Sequence, residues 1–310
     1  MLSNQIAVQI KNLTKIIGKK TIVDKLSFDI PKGEVFGLLG PNGAGKTTTI
    51  RMMVGLISKS TGHVLIHGVD VSKDFRTAMN HIGVIVENPE MYKYLTGYQN
   101  LIHFAKMSPG VTKQRVDEVV KQVGLDNRIH DKVKTYSLGM KQRLGLAQAL
   151  LRKPDVLILD EPTNGLDPSG IRELRDHLRS LAKKEGISVI VSSHLLSEME
   201  LMCDRVAIIQ TGKLISVKTI HEMMSGEDTG QLTVIEIDDI GAALDTLHTH
   251  HPHVKAAQIG NDIGVEAGRD EIPDILHHLA IAGVKIYSVR PVTKTLEDTF
   301  LEMTRGGQLV

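Results

Sequence analysis

One eight-residue segment has the composition and spacing of a phosphate-binding loop. It consists of Gly40, Pro41, Asn42, Gly43, Ala44, Gly45, Lys46 and Thr47. Glycines let successive backbone N–H groups turn inward around phosphate oxygens, and the N-terminus of a following helix adds its dipole. In such a loop the lysine reaches the β- and γ-phosphates, and the threonine hydroxyl holds Mg²⁺. An apolar run precedes the segment and a helical pattern follows it, so we interpret it as a P-loop for ATP. We assign Thr48, the next residue, to the same site.

Two adjacent carboxylates, Asp160 and Glu161, follow the continuous apolar run 156–159. A carboxylate at the end of such a buried strand can point at the P-loop and hold the Mg²⁺ shell, so we predict Asp160 as a metal ligand beside Thr47. Glu161 can orient the attacking water, and we predict it as the general base. A purely structural carboxylate is the alternative, which two adjacent acids before Pro162 disfavour.

His194 follows an apolar strand pattern at 187–191. A lone histidine is more often structural than catalytic. Its position just past the last predicted strand of the sheet favours a functional role, and we count it among the catalytic candidates.

Strand and helix patterns alternate along the first two thirds of the chain. Strands are predicted at 6–10, 26–30, 35–39, 64–66, 82–86, 156–159 and 187–191, with a helix at about 169–184. This order predicts an α/β fold, a P-loop NTPase core with a parallel sheet. Helical periodicity between about 88 and 153 predicts an inserted helical subdomain.

A second domain is predicted after residue 217. Residues 1–217 carry a net charge of +9, whereas residues 218–310 carry −8. The strand and helix patterns from 231 to 289 follow the order β-α-β-β-α-β, which is the ferredoxin-like order. A closing helix is predicted at 295–301. We therefore expect an ATPase domain over 1–217 and an accessory α+β domain over 218–310.

The composition is typical of a globular chain, with 41% hydrophobic and 24% charged residues. No apolar run is long enough to span a bilayer, and we find no signal sequence. The single cysteine, Cys203, excludes an internal disulfide and fits a reducing compartment.

The ordered motifs resemble the ATPase subunits of ABC transporters over roughly residues 5–217, and in detail the exporters of antibiotics, bacteriocins and lantibiotic peptides. Besides the P-loop, the motifs are 136–143, 157–163, 165–167 and 193–194. The resemblance implies an ATP hydrolase that uses Mg²⁺ and powers export through separate transmembrane permease subunits. It also implies a peripheral location on the cytoplasmic face of the cell membrane.

The resemblance assigns several residues to a site shared by two ATPase subunits. It implies that Ser137 and Gly139 of one subunit face the γ-phosphate held by the other, that Asp167 lies at the junction, and that His194 contacts the γ-phosphate. A homodimer is expected, with a heterodimer as the open alternative. Leu138 and Met140 depart from the usual L-S-G-G-Q sequence, which leaves the contribution of Met140 open.

Two further departures concern the nucleotide. Glu87 stands where relatives usually have a glutamine that binds Mg²⁺ and water, and we predict it as a metal ligand and catalytic residue. Its extra negative charge would strengthen metal binding but repel ATP. Ile17 stands where relatives commonly have an aromatic residue that stacks on adenine, so weaker selectivity for the base is expected.

Two residue clusters have less specific interpretations. The segment 87–101 contains Met91, Tyr92, Tyr94 and Tyr98, and we expect it to dock on the membrane partner; packing within the helical insertion is the alternative. A second cluster contains His248, His250, His251 and His253. It lacks a recognisable metal-ligand spacing, so we expect a solvated surface.

Two other functions remain as alternatives. A soluble ABC-type ATPase acting on ribosomes or nucleic acid would usually carry two ATPase halves or long coiled coils, and this chain has one P-loop and no sustained heptads. No nucleic-acid partner is therefore expected. A nucleotide-binding regulator with little turnover is disfavoured because Lys46, Asp160, Glu161 and His194 are all present.

Overall fold

The computed structural model of the chain describes residues 6–87, 89–225 and 231–291. The chain forms two compact units, which divide in sequence between Thr219 and Ile220. The strands are β1 (Ile6–Ile17), β2 (Lys20–Pro31), β3 (Val35–Leu39), β4 (Thr61–Ile66), β5 (Val69–Asp70), β6 (Ile82–Ile85), β7 (Val156–Asp160), β8 (Ser188–Ser193), β9 (Arg205–Gln210), β10 (Lys213–Thr219), β11 (Gln231–Ile237), β12 (Lys255–Ile259), β13 (Asp262–Ala267) and β14 (Ile286–Pro291). The helices are α1 (Lys46–Met53), α2 (Phe75–Asn80), α3 (Gly97–Lys106), α4 (Lys113–Gln122), α5 (Leu138–Leu150), α6 (Pro168–Glu185), α7 (Leu196–Met202), α8 (Ile220–Ser225), α9 (Ile240–His250) and α10 (Ile272–Ile281), with a 3₁₀ turn at Val133–Thr135.

The first unit is built on a six-stranded sheet in the order β10-β9-β3-β8-β7-β6. Strands β9, β3, β8, β7 and β6 run parallel, and β10 pairs antiparallel with β9. Every residue of β3, β7 and β8 is buried, as expected for parallel strands covered on both faces. This sheet confirms the predicted α/β fold. The prediction that the strand before His194 is the last of the sheet is wrong, because β9 and β10 follow it in the chain and extend the sheet beyond β3.

A second, antiparallel sheet in the first unit has the order β2-β1-β4-β5. The sequence patterns at 6–10 and 26–30 predict strands of five residues, whereas β1 and β2 each have twelve. The pairing continues past the predicted ends through register shifts, one of them between Ile10 and Leu13. Asn12, within this shift, has a left-handed φ of 48°. A bulge of this kind interrupts the two-residue alternation without ending the strand.

Helices α3, α4 and α5 occupy the region predicted to be helical. Helix α3 begins with a capping box formed by Thr96 and Gln99. Helix α4 buries Val116, Val119 and Val120, the valines whose spacing indicates a helix in the sequence. In the part of the chain that the structure describes, no helix combines the length and the apolar character needed to span a bilayer.

The second unit contains strands β11 to β14 and helices α9 and α10, in the predicted order β-α-β-β-α-β. Its sheet has the order β12-β13-β11-β14, and each pair is antiparallel. This is the ferredoxin-like topology that the sequence predicts. Apolar residues of the strands and of both helices form its core, including Ile235, Leu247, Ile263 and Leu279. The closing helix predicted at 295–301 lies outside the described residues.

Candidate functional site

The predicted catalytic residues converge at one edge of the core sheet. The P-loop follows β3, Asp160 ends β7, and His194 follows β8. These three strands are parallel and lie side by side in the order β3-β8-β7. Because the carboxyl ends of parallel strands share one edge, residues far apart in sequence are brought together there.

The P-loop backbone is held in a shape that requires glycine at two positions. A Cβ atom at Gly40 would lie 2.1 Å from the Ile209 carbonyl oxygen. Gly45 caps helix α1 with a left-handed φ of 104° and offers no side-chain hydrogen bond to the helix. The first N–H groups of a helix have no acceptor within it, so the N-terminus of α1 is suited to bind an anion.

The other predicted loop residues differ in exposure. Pro41, Asn42 and Gly43 are exposed, Ala44 is buried, and Thr48 is half-buried. The exposed part of the loop is therefore open to a ligand, while Ala44 anchors it in the core.

Lys46 is nearly buried, with 5% of its side chain exposed. Its Nζ atom donates a hydrogen bond of 2.7 Å to the Gly40 carbonyl oxygen and lies 3.4 Å from Glu161 Oε1. A desolvated ammonium group at the mouth of the loop favours a bound phosphate.

A hydrogen-bond network links the half-buried Thr47 to the buried Asp160 and Ser192. Thr47 Oγ1 donates to Asp160 Oδ1 at 3.2 Å, and Ser192 Oγ donates to the same oxygen at 2.6 Å. Thr47 and Asp160 supply the oxygen ligands that Mg²⁺ prefers. Adjacent ligands on an octahedral Mg²⁺ lie about 3 Å apart, so the residues present fit this ion.

Glu161 is held at both its backbone and its side chain. Its N–H donates to Ser192 Oγ at 2.9 Å, and its φ of 49° is in the left-handed region, unusual for a residue with a side chain. Its Oε2 atom lies 2.9 Å from His194 Nδ1, within hydrogen-bond distance. The carboxylate therefore lies between Lys46 and His194 and is fixed in direction by both.

Glu87 is placed differently from the other acids. Its backbone has a left-handed φ of 64°, its carboxylate is 66% exposed, and it pairs with Arg51 of helix α1. The ion pairs and hydrogen bonds of the described residues do not join Glu87 to Thr47 or Asp160. The structure thus brings Glu87 to the helix that follows the P-loop, and its role as a metal ligand stays a prediction.

The residues predicted to face a second subunit lie together elsewhere in the first unit. Ser137 caps α5 by accepting a hydrogen bond from Met140 N, and Asp167 caps α6 by accepting one from Gly170 N. Both residues and Gly139 line a cavity of about 940 Å³. Met140, a departure from the usual sequence, therefore contributes its backbone N–H to the Ser137 cap.

The tyrosines near the start of the helical region divide into two groups. Tyr92 and Tyr94 are exposed, with ring centroids 5.9 Å apart. Tyr98 donates a hydrogen bond to Asp117 of helix α4, and Met91 is buried. Packing inside the helical region thus accounts for Met91 and Tyr98, whereas Tyr92 and Tyr94 form a surface patch.

The expectation of a solvated histidine cluster is wrong for His251. This residue is buried, and its Nε2 atom lies 3.1 Å from Nδ1 of His278 on helix α10. The ring centroids of His278 and His253 lie 5.0 Å and 6.2 Å from that of His251. Burial lowers the pKa of His251, and the neighbouring His278 lowers it further.

Sequence reasoning missed Ser192, which bonds both Asp160 and Glu161 and is fully buried. It lies opposite Asp160 in the parallel pairing of β7 and β8. The available signal is a polar residue at the carboxyl end of an apolar strand, beside the strand that carries the acids.

The chain is similar over most of its length to known ATP-binding proteins. The ABC transporter family model matches residues 23–164. An uncharacterized ABC transporter ATP-binding protein of Bacillus subtilis is 55% identical over 297 residues, which cover 96% of this chain and 95% of that protein. The bacitracin transport ATP-binding protein of Bacillus licheniformis is 48% identical, with 97% and 98% covered. A lantibiotic transport ATP-binding protein of Streptococcus pyogenes is 45% identical over 211 residues, or 68% of this chain and 90% of that protein.

Solved structures show the same fold. The ATP-binding subunit of an ABC transporter matches with a TM-score of 0.63 and 27% identity, covering 72% of this chain and 93% of that one. The cbiO1 protein of Clostridium perfringens, part of an ABC transporter complex, matches with a TM-score of 0.66 and 24% identity, covering 80% and 97%.

Proposed function

Because this chain belongs to the ABC transporter family as an ATP-binding protein, we propose that its ATP hydrolysis powers export of an antimicrobial peptide or drug through separate membrane subunits. Relatives that are bacitracin and lantibiotic transport ATP-binding proteins support this class of substrate. The observation that carries the proposal is the position of Glu161, between Lys46 of the P-loop and His194. The chain would act on the cytoplasmic face of the cell membrane.

The P-loop residues bind and orient the phosphates of ATP. The N–H groups at the start of α1 face the phosphate oxygens, and Lys46 exchanges its contact with the Gly40 carbonyl for one with phosphate. Thr47 and Asp160 would hold Mg²⁺, which when bound neutralises the charge that develops on the phosphates. Ile17, which is exposed at the end of β1, covers one face of the base.

Glu161 is the proposed general base. A carboxylate that takes a proton from the attacking water must be fixed in direction before the reaction. Ser192 fixes its backbone, and His194 fixes one carboxylate oxygen. The exchange of Lys46 from Glu161 to phosphate leaves the other oxygen free to accept the water proton.

A second ATPase subunit completes the site in this proposal. Ser137 caps α5 and Gly139 lies in its first turn, and the N-terminus of this helix favours an anion such as the γ-phosphate held by the partner. Asp167 would lie at the junction of the two subunits. A homodimer is the simplest arrangement, since one sequence then supplies both the P-loop and the anion-binding helix.

Tyr92 and Tyr94 form the proposed contact with the membrane subunits. Aromatic residues concentrate in the cores of protein interfaces, and these two are exposed in the first unit. Substituting both with alanine should reduce co-purification with the membrane subunits while nucleotide binding remains. Co-purification at the wild-type level would contradict this assignment.

Two experiments test the function. Purification from native membranes in mild detergent should yield a companion with several membrane spans; ribosomal or nucleic-acid companions without a membrane protein would overturn the transport role.

In the purified complex, Glu161→Gln should lower the hydrolysis rate by about 10²- to 10⁴-fold and retain ATP binding. Glu118→Gln, on the exposed face of α4, is the matched control. Hydrolysis at the wild-type rate in Glu161→Gln would exclude Glu161 as the base.

A further inference from the structure

Two imidazoles and one carboxylate meet at the end of the core sheet opposite the P-loop. His81 directly precedes β6, Asp155 directly precedes β7, and His67 lies between β4 and β5. One nitrogen of each histidine and one oxygen of Asp155 all lie within 4.8 Å of one another. Asp155 and Asp160 lie at opposite ends of β7, about 17 Å apart along an extended strand, so this cluster is separate from the ATP site.

The cluster contains a buried nitrogen with no hydrogen-bond partner. His81 Nδ1 lies 2.5 Å from Asp155 Oδ2, and His67 Nε2 lies 3.9 Å from the same oxygen. His67 Nε2 is buried and makes no hydrogen bond. A buried polar atom without a partner costs free energy, and a bound ligand at this point would remove that cost.

The backbone holds the three residues in place. The His81 carbonyl oxygen accepts hydrogen bonds of 3.0 Å from the N–H groups of Asp155 and Val156. The His67 N–H donates to the Ala7 carbonyl oxygen at 2.9 Å, and the Asp155 carbonyl oxygen accepts from Ser188 N at 2.9 Å. The backbone of the three residues is therefore held by these bonds, so their side-chain groups would approach one another by side-chain rotation.

We propose that His67, His81 and Asp155 bind one divalent transition-metal ion, for which Zn²⁺ is the natural probe. Imidazole nitrogens favour zinc and its neighbours in the first transition row over Mg²⁺ or Ca²⁺. Ligands about 2.0–2.2 Å from a tetrahedral zinc lie about 3.3–3.6 Å from one another. The distances from Asp155 Oδ2, 2.5 Å to His81 Nδ1 and 3.9 Å to His67 Nε2, fall on either side of this range. The Asp155 side chain is 54% exposed and therefore has room to turn. Water completes the coordination.

The ion would have a structural role. Its ligands join the turn between β4 and β5, in the antiparallel sheet, to the amino ends of β6 and β7, in the core sheet. Cross-linking three segments in the folded chain stabilises it, because the unfolded chain does not hold them together. Zn²⁺ should therefore raise the melting temperature of the first unit.

Calorimetric titration of the tag-free full-length chain with Zn²⁺ tests the site, with Mg²⁺ present throughout. We expect His67→Gln and His81→Gln each to weaken binding at the tightest site by at least about 10- to 100-fold. The matched control is His63→Gln: His63 lies on β4 and pairs with Asp70 at 2.7 Å, outside the cluster. This control should bind Zn²⁺ as the wild type does.

Two further measurements keep the test decisive. Melting curves recorded without metal show whether each variant is folded. A variant of His67 or His81 that is folded should then show no Zn²⁺-dependent rise in melting temperature. Anomalous diffraction of wild-type crystals at the zinc absorption edge locates the ion without any substitution. Peaks only at other histidines, such as those of the second unit, or equal affinity in the wild type and both folded variants, would overturn the proposal.

Discussion

Ser192→Ala should lower the rate of ATP hydrolysis by displacing the two catalytic carboxylates, and not only through a loss of stability. Ser192 donates to Asp160 Oδ1 at 2.6 Å and accepts from Glu161 N at 2.9 Å, and none of its surface is exposed. Alanine removes both hydrogen bonds, and water cannot replace them at a fully buried position. The substitution therefore acts on the two acids at once without altering either.

The magnitude follows from the two bonds. A hydrogen bond to a charged group is worth about 1.5–3 kcal/mol, and a buried N–H left without an acceptor costs about 1–3 kcal/mol. Because the two bonds share one hydroxyl, we expect the free energy of unfolding to fall by about 2–5 kcal/mol. Glu161, whose left-handed backbone is no longer held, shifts relative to the P-loop. A displacement near 1 Å costs a catalytic site about 100-fold, so hydrolysis should fall by about 10- to 100-fold while ATP binding changes less.

Ser188→Ala is the matched control, since Ser188 is also buried but lies at the other end of β8 from the catalytic residues. Its hydroxyl accepts a hydrogen bond from Gly33 N at 3.1 Å. Urea denaturation and ATPase rates are measured for both variants at a temperature where both are folded. The control should lose stability but keep most of its hydrolysis. Equal hydrolysis rates in the two variants would refute the positioning role of Ser192.

Three further changes have distinct expected outcomes. Glu87→Gln should alter the unfolding free energy by less than about 1 kcal/mol, because the ion pair of Glu87 with Arg51 is exposed. The variant should still bind ATP but change the coupling of hydrolysis to transport. Unchanged transport and hydrolysis would contradict this prediction. Burial raises the pKa of Cys203, so a thiol reagent at pH 8 should label it only after denaturation. Burial lowers the pKa of His177 in the folded chain, so the unfolded chain binds a proton more readily, and stability should decrease as the pH drops below about 6.5. Urea titrations at pH 7.5 and 5.5 should show a smaller loss of unfolding free energy in His177→Gln than in the wild type.

The strands that position the site could be predicted because their sequence signal is local. The runs at 35–39 and 156–159 are apolar, as strands buried on both faces must be, and both are fully buried in the structure. The elements of the second unit were also predictable, since apolar residues recur at the spacing of strands in its strands and at the spacing of helices in its helices. Helix α9 follows the first strand of this unit and α10 follows the third, as the predicted order requires.

What the sequence did not predict depends on contacts between distant segments. Asn12 sits in a bulge whose left-handed backbone is stabilised by pairing with β2, so the local pattern suggests an end where the strand continues. The ion pair of Glu87 with Arg51 joins residues 36 positions apart, and no sequence pattern in either segment predicts it. His251 is buried by helix α10, and a run of histidines in sequence does not reveal that packing.

One register connects both ends of the core sheet. Strand β6 pairs with β7 from Ile82 opposite Val156 onward. This pairing places His81 beside Asp155 at one end, and at the other it sets the direction in which Asp160 and Glu161 leave the sheet. A one-residue slip of β7 would turn every side chain of that strand to the opposite face, so the arrangement at either end depends on the same register. Substituting His67 or His81 leaves the paired residues of β6 and β7 unchanged. Such variants should therefore change metal binding and stability while ATP hydrolysis, measured at a temperature where they are folded, stays at the wild-type rate.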